Sequence, residues 1–268
     1  MPTQNEASVW AETLPQNVSL CALWYERFPP SEWALYRAVV EEAQRQQIPF
    51  AVGGGLASCT YSGHWRDSKD LDIYILEKDR PRLIKILSDS GLTDYYDQKP
   101  YDRKWIYRSF ADGVIIDVMW AMANQRAQVD EQWFHGPEVS VGGVRFRLLP
   151  PEEIIWTKLY VMQRDRCDWP DVLSILYSMS GDLHWKHLID RVGEDWQLLA
   201  ALLQVFSWVC ADAASSVPHW VWEQLRTPGP KFERPAPDRD RADLLDSRPW
   251  LAPNSEDHCR MPKFRRES

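Results

Sequence analysis

No apolar run in the chain is long enough to cross a bilayer. The most apolar stretch, Leu198 to Val209, is short, is interrupted by Gln204 and Ser207, and reads as a buried helix. Positive charge is not in excess either. A net charge of −8 and a pI near 5.3 disfavour a broad polyanion-binding surface, so a polyanionic partner would need a local basic patch. The five cysteines (Cys21, Cys59, Cys167, Cys210 and Cys259) are odd in number and scattered, without a Cys-x-x-Cys pair that would suggest zinc or a redox centre. A reducing compartment fits that usage. The N-terminal MPTQNEASVWAETLPQ lacks the basic-then-apolar order of a signal peptide, and no lipidation signal or internal repeat is found. The expectation is a cytoplasmic protein with no membrane partner. At 268 residues the chain can bury a full core, as one domain or as a domain with a substantial appendage.

The chemistry concentrates between Phe50 and Leu76, FAVGGGLASCTYSGHWRDSKDLDIYIL. Phe50, Ala51 and Val52 read as the end of a strand. Gly53-Gly54-Gly55 reads as a turn into a helix, where backbone can approach a ligand with no Cβ in the way. Leu71 to Leu76 is rich in β-branched and aromatic residues and alternates around Asp70 and Asp72, which predicts a strand. Side chains alternate along a strand, so these two aspartates emerge on one face, roughly 6–7 Å apart.

Around this stretch the pattern is mixed. Pro29-Pro30-Ser31-Glu32 looks like a helix entrance with Ser31 as the N-cap, and Trp33, Leu35, Tyr36, Val39, Val40 and Ala43 then keep helical spacing. Glu77 to Ser90 predicts another helix, closed by Gly91. Lys104–Phe110 and Gly113–Trp120 predict a hairpin turning at Ala111-Asp112-Gly113, and Val139 to Leu149 predicts a second one turning at Gly142-Gly143. Pro150-Pro151-Glu152-Glu153 opens a helical half covering Glu152–Met162, Trp169–Met179, His184–Val192 and Glu194–Ala211. From Thr227 on, proline and charge predict a disordered tail.

Asp117, set among Ile116, Val118 and Met119, needs a reason to be there, because an unpaired buried charge neutralises or finds a partner. If its strand lies beside that of Asp70 and Asp72, three carboxylates converge, each pair repelling by about 2–3 kcal/mol at ~6 Å and an effective dielectric near 20. Such a cluster calls for cations. Oxygen-only ligands suit Mg²⁺ or Mn²⁺, and the backbone N–H groups of a glycine turn at a helix start suit phosphate. Arg66, Ser68 and Lys69 lie just before the carboxylates and can add hydrogen bonds to the same phosphates, although ordinary loop charge explains them nearly as well. Lys158 projects inside the apolar stripe of Ile154, Ile155, Leu159 and Met162. It would need an anion there, either a triphosphate or the carboxylate cluster, unless it snorkels past the core edge. His184-x-x-His187 has no third ligand nearby and reads as structural.

Gly-Gly, a short helix, Asp-x-Asp on a strand and a third Asp on a later strand together resemble the polymerase-beta-like nucleotidyltransferase superfamily over roughly Phe50 to Trp120. The segment PEEIIWTKLYVMQRDRCDWPDV is similar to one in the abortive-infection (AbiEii-type) nucleotidyltransferases, which include toxins of type IV toxin–antitoxin systems. The resemblance implies an α+β fold: a nucleotidyltransferase-type mixed β-sheet flanked by helices, followed by a C-terminal helical region. The corresponding divisions are an extension at 1–31, the core at 32–150, the helical region at 151–226 and the tail at 227–268. It further implies that Asp70 and Asp72 hold divalent metal and that Asp117 joins them and activates the attacking hydroxyl. Lys158 would support catalysis together with Asp171 or Asp168. Gly53, Gly54, Gly55, Arg66, Ser68 and Lys69 would bind the nucleotide. One departure from the pattern is Gly55, where many relatives carry a small hydroxyl residue; Ser58 is the candidate replacement.

The expected activity is transfer of NMP from an NTP to a hydroxyl acceptor (small molecule, tRNA or protein) with release of pyrophosphate, and a small antitoxin is a possible partner. A catalytically silent nucleotide-binding or antitoxin-like module is the alternative, and a two-metal phosphohydrolase is a third reading.

Overall fold

The computed structural model describes residues 24–65, 68–164 and 166–229. Residues 1–23, Arg66 and the tail from 230 on lie outside them, so most of the N-terminal extension, Arg66 and most of the tail do too. A short helix α1 (Trp24–Arg27) precedes α2 (Pro30–Arg45), which buries Tyr36, Val39, Val40 and Ala43 along one face, as their spacing predicts. The N-cap differs from expectation. Pro29 occupies it and Pro30 is the first helical residue, which places Ser31 inside the first turn. A proline fits that place because its φ is already helical and no acceptor exists there for the N–H it lacks.

The chain then forms β1 (Phe50–Val52), α3 (Gly54–Ser62), β2 (Asp70–Ile75) and α4 (Arg80–Asp89), with Gly91 just beyond at φ +89°. A two-residue β3 (Thr93–Asp94) leads to the predicted hairpin of β4 (Ile106–Ala111) and β5 (Val114–Met119). Asp112 and Gly113 both have positive φ, +48° and +88°, the turn whose twist matches that of an antiparallel pair. The second hairpin, β6 (Glu138–Val141) and β7 (Val144–Arg147), forms its own two-stranded ribbon around Gly142-Gly143.

Six α-helices follow among the described residues: α5 (Pro151–Leu159), α6 (Trp169–Met179), α7 (Trp185–Val192), α8 (Trp196–Val209), α9 (Ala211–Ala214) and α10 (His219–Gln224). α5 stops earlier than the apolar stripe suggests, and Met162 instead bridges to Cys167 in the loop that follows. α8 buries Leu199, Leu202, Leu203, Phe206 and Val209. No helix among the described residues is long and apolar enough to cross a membrane.

The main sheet has the order β1-β2-β5-β4-β3, with β2 and β5 parallel and the other pairs antiparallel. The fold is therefore α+β with a mixed sheet flanked by helices. Leu71, Ile73 and Ile75 of β2, with Ile116 and Val118 of β5, are buried on one sheet face. The alternation sends Asp70, Asp72 and Asp117 to the other. α3 packs on β2 and on α6, and α5 packs on α6 and α7. The Tyr61 hydroxyl on α3 donates to the Leu149 carbonyl at 2.7 Å, anchoring the start of α5 beside the sheet. The helical half thereby faces the acidic side of β2.

Candidate functional site

The register across the sheet sets the site. Asp72 lies opposite Asp117 on β5, and Asp117 lies opposite Arg108 on β4, so three charged side chains form a row across three adjacent strands. Asp70 stands two residues before Asp72 on the same face. Carboxylate oxygens of Asp70, Asp72 and Asp117 all lie within 4.8 Å of one another. The sequence expectation that the two strands are neighbours is met, and the partner required by buried Asp117 is Arg108. Its Nε donates to Oδ1 of Asp117 at 2.8 Å, its Nη2 donates to Oδ2, and Nη2 is also 3.8 Å from Asp70.

One guanidinium does not settle three carboxylates. Burial, then repulsion from Asp70 and Asp117, pushes the Asp72 carboxyl up to about 7. Burial also raises Asp117, outweighing the pull of Arg108. The donor set is oxygen only, and three carboxylates share one guanidinium. That combination suits a hard divalent cation such as Mg²⁺ or Mn²⁺.

The glycine run closes over this row. Gly54 sits at φ +57°, and a Cβ there would fall 1.5 Å from Oδ2 of Asp72, so only glycine lets the helix start lie on the carboxylate. Gly53 differs from the expected phosphate contact. Its N–H donates to the Asp72 carbonyl at 3.0 Å, and a Cβ on it would strike the Tyr74 ring at 2.5 Å, so it packs the turn against β2. Gly54 and Gly55 reach the cavity. Ala57 is the first residue of α3 whose N–H bonds back, to the Gly53 carbonyl at 3.2 Å, which leaves the N–H groups before it ahead of the helical ladder. The Ser58 hydroxyl, the candidate replacement for a missing contact, donates to the Gly54 carbonyl at 2.8 Å within its own helix.

A second cluster forms the opposite wall. Lys158, buried on the last turn of α5, donates to Asp168 at 2.9 Å and to Asp171 at 2.8 Å, so aspartates of its own helical region supply the anion its inward position demands. Arg166 donates to both oxygens of Asp168, at 2.9 and 3.0 Å. Burial acts to raise the Asp168 carboxyl, but Arg166 and Lys158 outweigh it and hold it down at about 2. Between the walls lies a cavity of about 970 Å³, large enough for a nucleotide. Ser68 and Lys69 also line it, the Ser68 hydroxyl donating to the Asp70 carbonyl at 3.1 Å. Trp105 also lines the cavity, as do Met119 and Tyr160.

His184 and His187 of the helical half serve packing. His184 and His187 stack at 5.9 Å, and Nε2 of His187 is 2.7 Å from buried Glu153.

Residues 34–210 match the model of a family described as uncharacterised nucleotidyltransferase, which is more than half of the chain. The chain belongs to that nucleotidyltransferase family. No curated protein sequence matches it. Among solved structures it is similar to the antibiotic-resistance factor ANT(2'')-Ia, with 17% identity over 69% of this chain and 95% of that one and a TM-score of 0.42. It is also similar to an antigenic nucleotidyltransferase-like protein from Paracoccidioides brasiliensis (20% identity, 75% and 95% covered, TM-score 0.44). A third is the lincosamide antibiotic adenylyltransferase LnuA in its lincomycin-bound form (14% identity, 55% and 96% covered, TM-score 0.40).

Two site residues of this nucleotidyltransferase escaped sequence reasoning. Arg108 was recoverable. Once Asp112-Gly113 is taken as a two-residue turn, Ala111 faces Val114, and counting back along both strands puts Arg108 opposite Asp117. Arg166 has no such signal, since it lies in an irregular loop between α5 and α6.

Proposed function

We propose that this nucleotidyltransferase is a metal-dependent enzyme that moves NMP from an NTP to a hydroxyl acceptor and releases pyrophosphate. The observation that carries the reading is the convergence of Asp70, Asp72 and Asp117 against a glycine-led helix start, across a cavity from Lys158. Asp70, Asp72 and Asp117 would hold Mg²⁺ or Mn²⁺, which when bound neutralises phosphate charge and favours in-line displacement at phosphorus. The N–H groups of Gly54 and Gly55, with Ser68 and Lys69, would take phosphate oxygens, while Gly53 shapes the turn. Lys158 spends two of its three donors on Asp168 and Asp171, which fixes its position and leaves a third for a substrate oxygen. Asp117 would accept the proton of the attacking hydroxyl once Arg108 releases it. The acceptor attacks the α-phosphorus, its proton passes to Asp117, and pyrophosphate leaves with the bond electrons.

The test is incubation with α-labelled and γ-labelled NTPs and fractionated cell extract. Label from the α position should enter one fraction, Asp70→Asn and Asp72→Asn should abolish uptake, and full activity in either variant would refute the site. Release of orthophosphate without uptake would favour a phosphohydrolase. The finer reading, a cytoplasmic toxin of the abortive-infection kind with a small antitoxin, rests on the 151–172 segment. It predicts growth arrest on expression, lost with Asp72→Asn. A silent nucleotide-binding module draws support from the two-point hold of Arg108 on Asp117, and predicts NTP binding by calorimetry with no turnover.

A further inference from the structure

We infer that Arg108 is a nucleotide-phosphate ligand stored on Asp117: in the nucleotide-free protein it occupies the third carboxylate in place of a cation, and an incoming polyphosphate draws it away. This rests on the reading of the acidic trio as a cation site.

Both oxygens of Asp117 are engaged by the guanidinium, so a cation entering the trio must either displace Arg108 or share Asp117 with a like charge. The storage is local. The Arg108 backbone is pinned, its N–H donating to the Tyr101 hydroxyl at 3.1 Å, which in turn donates to Asp94 at 2.8 Å. Its side chain is 34% exposed and lines the cavity, so the head can turn while the strand stays in place.

The other basic groups are differently placed. Lys158 pairs with Asp168 and Asp171 and Arg166 with Asp168, on the far wall. Among the described residues it is Arg108 that forms ion pairs with the trio, to Asp117 and to Asp70, at the edge of the open cavity. A polyphosphate offers its planar fork the same two-point geometry as a carboxylate, with more charge. The exchange trades one ion pair for another with no covalent change. It couples the two ligands, because polyphosphate that takes Arg108 vacates Asp117 for the metal, and each must favour the other by the same factor.

The experiment measures two affinities on the full chain: Mn²⁺ alone, by the loss of its free-ion EPR signal, and inorganic tripolyphosphate in EDTA, by calorimetry. Arg108→Gln should tighten Mn²⁺ and weaken tripolyphosphate, each by about tenfold. The opposite directions distinguish storage from scaffolding. Both constants unchanged, or both weakened, would overturn the inference. If Arg108→Gln does not fold, Arg108→Lys decides, since it keeps the charge without the fork and should move both constants the same ways by less. Asp72→Asn separates the underlying reading. Mn²⁺ binding unaltered in that variant removes the cation site itself, whereas Mn²⁺ lost there with unmoved constants in the Arg108 variants removes only the role of Arg108.

Discussion

The sheet and the helical region each bring aspartates and basic side chains to the same cavity, and they settle the charge in opposite ways. Across β2, β5 and β4, three carboxylates meet one arginine, and the Asp72 carboxyl is driven up to about 7. Beyond α5, two aspartates meet Lys158 and Arg166, and the Asp168 carboxyl is held at about 2. The residue types are the same and burial acts to raise the carboxyl in both, but only at Asp168 do basic partners outweigh it. A balanced cluster holds its members in place, here fixing Lys158 at the cavity wall. An unbalanced one has a cost that a bound cation relieves, and it marks where chemistry is to be sought.

The largest expected effect breaks the unbalanced side. Asp72→Asn should reduce NMP transfer to background in a label-uptake assay. In EDTA it should raise the melting temperature, because one of three mutually repelling charges is gone. Breaking the balanced side does the reverse to stability. Lys158→Met leaves buried aspartates without their ammonium and should cost about 3 kcal/mol in a urea titration.

A smaller effect comes from the contact joining the glycine turn to the row. Gly54→Ala places a Cβ on the Asp72 carboxylate at a positive φ and should cost more than about 1 kcal/mol while weakening Mn²⁺ binding. The smallest sharpens the helical side by pH. The folded pKa of Asp168 lies below its unfolded value, so its contribution is present above about pH 4 and is lost as pH falls through about 2. The melting-temperature gap between wild type and Asp168→Asn should therefore be wide at pH 6 and close in acid.

Most of the sheet was legible in the sequence because its signals are local. Alternation around Asp70 and Asp72 specifies β2 and the Asp112-Gly113 turn specifies the β4–β5 register, whereas the parallel pairing that sets Asp117 opposite Asp72 joins segments distant in sequence and entered only as a condition. The inward direction of Lys158 was legible from helical periodicity. Its partners were not, because Asp168 and Asp171 reach it through a loop whose path no periodicity encodes. Gly53 and Gly54 look equivalent in sequence. They diverge only once β2 passes beneath them, where one meets the Tyr74 ring and the other the Asp72 carboxylate. The cap at Pro29 was misread because Ser31 has the better side chain for an N-cap, yet the consecutive prolines already fix the backbone that starts the helix.

The most direct test of the acidic trio as a cation site is Mn²⁺ titration of the wild type and of Asp72→Asn at pH 8, followed by EPR. The account predicts Mn²⁺ sequestered by the wild type and left free by the variant, with both chains folded; equal sequestration by the two would contradict it.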